Sequence, residues 1–231
     1  MRLSVRTSRR MGWMCSSLCR TQMHAPFVPL SLSSDVVIGF IAFDDATTIG
    51  LLPGDDVTPL FQGRTVQLDT CALAPTIAAL GSDVNRVLIV ADVEAEVDSA
   101  SLNQVQHLVV PMAFARRLTE ETEPVAILNA LWNDHRATVV VTDGADGAWF
   151  RDAASADGHH QPSFKVPVID TTGCGDVFHG AYAVALARGL DASERVRFAA
   201  AAGAICATGR GGRGRLPTES DIIELLTIGR V

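Results

Sequence analysis

The residues best equipped for chemistry stand together at Asp170-Thr171-Thr172-Gly173-Cys174-Gly175-Asp176. Gly173 and Gly175 carry no side chain and Cys174 a small one, so the backbone amides of this stretch are open to an approaching anion. Asp176 follows at once. A carboxylate binds phosphate poorly but is well suited to take a proton from a hydroxyl that attacks a phosphate. The chemistry suggested is phosphoryl transfer to an alcohol. The plainer alternative is an ordinary turn into a helix, where the glycines fit the bend and Asp176 only caps. A short Gly-x-Gly-Asp string does not by itself separate the two.

Such a site needs elements to hold it. Upstream, Phe164, Val166, Val168 and Ile169 have the apolar bias of a strand. Downstream, Val177, Phe178, Ala181, Val184, Ala185 and Leu186 recur at helical spacing as far as Gly189. The pattern therefore places Gly173 to Asp176 on the first turn of a helix, where amides lack intrahelical partners and the helix dipole is positive. Beyond it, Asp191 to Glu194 has the form of a capping box opening an alanine-rich helix, Val196 to Thr208. A glycine and arginine loop, Gly209 to Pro217, leads to a last amphipathic helix capped by Thr218.

Ahead of the site the chain alternates. Val36 to Phe43 and Thr48 to Leu52 flank the turn Asp44 to Thr47 and suggest a hairpin. Thr65 to Asp69 is a strand by composition, followed by a short helix from Pro75 to Leu80 that stops at Gly81. Val87 to Val90 and His107 to Val110 are further strands, the second followed by a helix through Phe114 and Leu118. Glu123 to Ala137 has a helical stripe with Pro124 near its start, and Thr138 to Thr142 is a strand turning through Asp143 to Gly147 into an antiparallel return, Ala148 to Phe150. Strands alternating with helices imply a mostly parallel sheet covered on both faces, a three-layer α/β/α domain.

Composition narrows the function. With 231 residues and 48% hydrophobic content the chain has enough apolar surface for one sizeable core. A net charge of −7 argues against nucleic acid as a partner, and no apolar run approaches the roughly 20 residues of a membrane helix. The cysteines, at 15, 19, 71, 174 and 206, show no metal-binding spacing and suggest free thiols in a reducing compartment, so a cytoplasmic protein is expected. Residues 1 to 34 stand apart, with five arginines, seven serines and no acid. That composition suits a disordered extension or an organelle transit segment, the latter being the alternative to a cytoplasmic location. The folded domain is then expected over residues 35 to 231.

The longer string Asp-Thr-Thr-Gly-Cys-Gly-Asp-Val-Phe-His-Gly-Ala resembles the C-terminal signature of the ribokinase-like (PfkB) carbohydrate kinases, usually D-T-x-G-A-G-D-x-F, with Cys174 replacing alanine. The resemblance implies a ribokinase-like fold and ATP-dependent phosphorylation of a sugar or sugar-like alcohol with magnesium. It implies that Asp176 is the catalytic base and that Gly173, Cys174 and Gly175 form the anion hole. Thr142, Gly144 and Gly147, in a strand-T-x-G-x-x-G order, would line the nucleotide, and the loop holding Gly211 would flank the adenine. Asp170 and Thr172 would hold a monovalent cation, potassium in the first instance.

The resemblance is strong from Thr138 to Leu226 and weakens toward Asp35. Residues 1 to 34 lack the Gly-Gly motif and the substrate-binding Asp and Asn of the family, so the chain resembles a member without its first third. An open sheet edge is then expected, asking for a partner chain such as a second copy in a homodimer, or leaving the chain poorly soluble. Many members carry Asn-x-x-Glu after the strand that ends here at Pro111; this chain has Met112-Ala113-Phe114-Ala115. The sulfofructose-kinase-like branch also lacks that motif and shares the Gly-Asp-Val-Phe-His-Gly wording, which favours a sugar acid or modified sugar. The competing expectation is a nucleotide-binding or scaffold remnant that transfers phosphate slowly or not at all. Further residues stand near the site. His179 lies one helical turn after Asp176, and either reaches substrate or is a buried structural histidine. Asp92 and Glu94 follow a strand at its carboxyl end, where α/β proteins bind ligands, and either serve a magnesium-water site or belong to a solvated loop. Cys174, beside a helix N-terminus, is expected to have thiolate character and to be prone to oxidation.

Overall fold

A computed structural model of the chain describes residues 65–212 and 215–228. The basic arm and the hairpin expected at Val36 to Leu52 lie outside the described residues. Six strands form one sheet in sequence order: β1 (Thr65–Asp69), β2 (Leu88–Asp92), β3 (His107–Pro111), β4 (Thr138–Thr142), β5 (Ala148–Asp152) and β6 (Ser155–Gln161). The first four run parallel, and β5 and β6 return antiparallel. β2, β3 and β4 read Leu-Ile-Val-Ala-Asp, His-Leu-Val-Val-Pro and Thr-Val-Val-Val-Thr, the β-branched runs expected of strands buried on both faces.

Seven helices cover the sheet within the described residues: α1 (Thr70–Leu80), α2 (Ser99–Asn103), α3 (Met112–Thr119), α4 (Pro124–Ala130), α5 (Cys174–Ala187), α6 (Ala192–Cys206) and α7 (Glu219–Ile228). One face of the sheet, with Leu68, Ile89, Leu108, Val139 and Val141, packs on Leu73, Phe114, Ile127 and Leu128. The other, with Val90, Val109, Val140 and Phe150, packs on α5 and α6 through Val177, Ala181, Tyr182, Val184, Val196 and Ala199. Three layers result, as the alternation of elements required. Every residue of α5 from Val177 to Ala187 is buried, because the helix is enclosed by the sheet and α6. The two helices approach closely at Gly203 of α6, where a Cβ would lie 3.3 Å from the Cys174 carbonyl oxygen of α5.

Several boundaries differ from the expected ones. Helix α1 begins at Thr70 rather than Pro75, because the Asp69 carboxylate accepts from the Ala72 amide at 2.7 Å and caps it there; Pro75 sits inside the helix. The helix expected as far as Ala137 stops at Ala130, since Asn133 turns the chain by accepting the His135 amide at 2.9 Å. α6 starts at Ala192, where Asp191 and Glu194 close a full capping box, and ends at Cys206. The strand expected at Phe164 to Ile169 does not form. Pro162 and Pro167 remove two donors, and the amides of Ile169 and Asp170 both bond the Ala207 carbonyl, at 2.8 and 3.2 Å, instead of a sheet neighbour.

Candidate active site

Parallel register sets the site's location. Asp69 stands beside Asp92, and Pro111 beside Thr142, so the strands' carboxyl ends finish along one edge of the sheet. In open α/β sheets this is the edge where ligands bind. α5 points its N-terminus at the same edge. Its cap is Gly173, at φ 78 and ψ 1, a left-handed conformation that costs side-chain-bearing residues free energy. A Cβ at Gly173 would also lie 2.7 Å from the Gly212 Cα, so the glycine is required both by the turn and by the close approach of the 209–212 loop. Gly212, the seat for that approach, was not singled out in the sequence.

The two loops are tied by Asp170. Its Oδ1 accepts the Thr172 amide at 2.9 Å and its Oδ2 accepts the Gly211 amide at 2.8 Å. The Thr172 donors chiefly, then the Gly211 amide, hold the Asp170 carboxyl down at about 2. Asp170, Thr172 and Gly211 are therefore brought together, with Asp170 acting as a clamp between the signature turn and the arginine loop.

Past the cap, the Cys174 amide turns back to the Thr171 carbonyl at 3.2 Å, which takes it out of the expected anion hole. The amides of Gly175 and Asp176 remain, without acceptors inside a helix that starts at Cys174. Both residues are exposed, and apart from the adjoining residues and backbone of its own helix no atom lies within 4 Å of the place a Gly175 Cβ would occupy. That open space, faced by unpaired amides at the positive end of a helix, fits a phosphate group. Asp176 stands in the same turn with its carboxylate exposed.

Cys174 contradicts the expectation of thiolate character. Burial pushes its thiol up to about 12, helped by the neighbouring Cys206 thiol and the Asp170 and Asp176 carboxylates. Low dielectric and nearby negative charge outweigh the helix dipole, so Cys174 is a small packing residue carrying a neutral thiol at neutral pH. His179 does not reach outward either: it is buried, with Nδ1 2.7 Å from the Gly175 carbonyl and 3.2 Å from Asp92 Oδ2. Burial raises the Asp92 carboxyl to about 6, and the facing His179 opposes that rise.

Thr142 ends β4 at the ligand edge, and Gly144 and Gly147 follow in a tight turn closed by the Asp143 amide on the Gly147 carbonyl at 2.8 Å. Gly147 has a structural reason of its own. At φ 96 its Cβ would lie 2.1 Å from the Gln161 carbonyl oxygen. The neighbouring residues hold this turn firmly: Ser163 Oγ donates to the Ala145 carbonyl, and His160, stacked on Trp149 at 4.4 Å, donates from Nε2 to the Asp146 carbonyl at 2.7 Å. No hydrogen bond among the described residues joins this turn to the α5 cap. The two stand as separate parts of one edge. After β3, where many kinases of the resembled family carry Asn-x-x-Glu, Met112, Phe114 and Ala115 are buried in the core and supply no carboxylate.

Known proteins match this arrangement. Over 91 residues the chain is 40% identical to ribokinase of Bacillus subtilis, covering 39% of this chain and 30% of that protein. It is 34% identical over 109 residues to fructokinase-1 of Zea mays, covering 43% and 32% respectively. The chain thus spans about a third of the length of these curated relatives. Among solved structures, Arabidopsis thaliana ribokinase complexed with ribose and ATP superimposes with a TM-score of 0.66 at 25% identity, over 76% of this chain and 60% of that one. The pattern of the pfkB family carbohydrate kinases matches residues 65–219, from β1 through the signature turn to the start of α7. Because that match spans more than half of the chain, the chain belongs to the pfkB family of carbohydrate kinases.

Proposed function

We propose that the protein transfers the γ-phosphoryl group of ATP to a hydroxyl of a sugar or sugar-like alcohol. The observation that carries this is the first turn of α5: two unpaired, exposed amides beside open space, with an exposed carboxylate in the same turn. Asp176 takes the proton of the attacking hydroxyl, and the amides of Gly175 and Asp176 hold the charge that builds on the transferred group. Magnesium, when bound with ATP, neutralises phosphate charge. The Gly144 to Gly147 turn is held rigid by β6 and its flank, which suits it to carry nucleotide contacts beside Thr142. The carboxylate and carbonyl oxygens around Asp170 and Thr172 are hard donors of the kind a potassium ion takes, although both Asp170 oxygens already accept amides.

The substrate reading is a sugar, with sugar acids and modified sugars first among the candidates because of the Gly-Asp-Val-Phe-His-Gly string. A second reading is favoured by the apolar segment Met112 to Ala115: nucleotide binding with little transfer. A coupled kinase assay over ketoses, aldoses, sugar acids and sulfo-sugars, run in KCl and in NaCl, tests both. Turnover on one of these sugars supports the kinase. Calorimetric binding of ADP with no turnover on any of them supports the second reading. Absence of both overturns the proposal.

A further inference from the structure

Asp92 and His179 were separate candidates in the sequence, 87 positions apart in a chain that gives no sign of pairing them. In the fold they meet beneath the signature turn. His179 Nδ1 faces the Gly175 carbonyl at 2.7 Å and Asp92 Oδ2 at 3.2 Å, while Nε2 faces the Val109 carbonyl of β3 at 3.4 Å. All three are acceptors. A neutral imidazole has one N–H, so it would turn a nitrogen lone pair toward an oxygen on one side or the other. A ring with a proton on each nitrogen donates to every one of them, and its charge is then matched by the ionised Asp92.

The surrounding groups support the same assignment. The acids facing the pair are Asp69 at the end of β1, Glu94 just after β2 and Asp176 on α5, and no lysine or arginine is among the groups acting on Asp92, which leaves His179 as the residue placed to match its charge. Asp92 Oδ1 is buried and has no hydrogen-bond partner among the described residues, which leaves the histidine as the one side chain that holds this carboxylate.

We infer that Asp92 and His179 are positioning residues for the phosphate turn. The charged ring, anchored to β2 through Asp92 and to β3 through Val109, fixes the Gly175 carbonyl and thereby sets the direction of the Gly175 and Asp176 amides. This rests on the kinase reading for its purpose, but the ion pair itself can be tested without it.

The test uses the full chain labelled with ¹⁵N. Imidazole ¹⁵N shifts at pH 7.5, assigned to His179 by their loss in His179→Gln, should show both ring nitrogens protonated. In Asp92→Asn, which keeps the shape and removes the charge, the ring should become a single neutral tautomer, and the amide signals of Gly175 and Asp176 should move. The affinity for ADP with magnesium should fall roughly tenfold, as is usual when a residue that orients a binding group is lost. A neutral single-tautomer ring in the unsubstituted chain overturns the inference, and this holds even if Asp92→Asn fails to fold. A charged ring with Gly175 and Asp176 amides unmoved by Asp92→Asn overturns the positioning role. If the unsubstituted chain binds no ADP, the kinase reading fails, while the ring and amide signals still decide for or against the pair.

Discussion

The first turn of α5 and the middle of the same helix treat polar groups in opposite ways. In the middle, Tyr182 is wholly buried, and its hydroxyl meets His107 Nδ1 at 3.2 Å. Arg195 lies over the Tyr182 ring at 5.6 Å and donates to Thr138 Oγ1 at 3.0 Å. Burial, with the Arg195 charge adding to it, lowers His107 to about 3, so the imidazole is neutral at ordinary pH. At the N-terminal turn, Asp170 is held ionised, Asp176 and two amides face solvent, and His179 sits against a carboxylate. One end of the helix is built to hold the fold, the other to hold charge. The difference is that Tyr182, His107 and Thr138 find partners within the core, whereas the Gly175 and Asp176 amides and the Asp176 carboxylate are left for a ligand.

The contrast can be broken from either end, and the largest effect is expected at the turn. Asp176→Asn should lower turnover on the best sugar by about 10²–10⁴-fold, the usual contribution of a general base, with little change in thermal stability because the side chain is exposed. Steady-state kinetics and a melting curve on the same preparation check both parts.

Gly147→Ala comes next and acts on the fold. A left-handed backbone costs about 1–3 kcal/mol at a residue with a Cβ, before the clash with the Gln161 carbonyl is counted. Denaturant unfolding should register a loss of at least that size, together with weaker nucleotide binding if the turn carries nucleotide contacts.

The third expectation separates the helix middle from the turn by pH. The folded-state value of His107 lies below the ordinary 6.5, so the unfolded chain binds more protons between about pH 3 and 6.5. Stability from this group is complete above pH 6.5 and is lost as pH falls toward 3, at up to about 1.4 kcal/mol per pH unit. Asp92 acts with the opposite sign: its raised value makes ionisation cost stability as pH rises from about 4 to 6. Urea unfolding from pH 4 to 8 should show His107→Asn with a shallower acid-side decline than the unsubstituted chain. An unchanged slope would show that His107 is not held neutral.

Much of this was legible in the residues, and for identifiable reasons. β2, β3 and β4 announce themselves because strands buried on both faces must be continuous apolar runs. The helix start near Gly173 and the Asp191 capping box were visible because helix starts depend on local residue types, although Gly173 proves to be the cap and not part of the first turn. β6 was invisible. Ser-Ala-Asp-Gly-His-His-Gln is polar and largely exposed, and it is a strand only because β5 offers a ladder and Trp149 and Phe150 offer rings to His160 and His159. The apolar run before Asp170 misled for the converse reason: Val168 and Ile169 are 62% and 58% exposed, because prolines and the Ala207 carbonyl claim that backbone before a sheet can. At the site, residue types located Asp176 and the glycines. Long-range contacts were needed for the Gly173–Gly212 approach, the Asp170 clamp and the Asp92–His179 pair.

The central claim, that the α5 cap is a phosphate site, is tested most directly by calorimetric titration of ADP with magnesium into the unsubstituted chain and into Gly173→Ala. Strain at φ 78 and contact with Gly212 displace the turn in the variant, so its affinity should drop about tenfold, equivalent to about 1.4 kcal/mol. Equal affinity in a folded Gly173→Ala chain would contradict the account, because nucleotide phosphate would then be bound somewhere other than this turn.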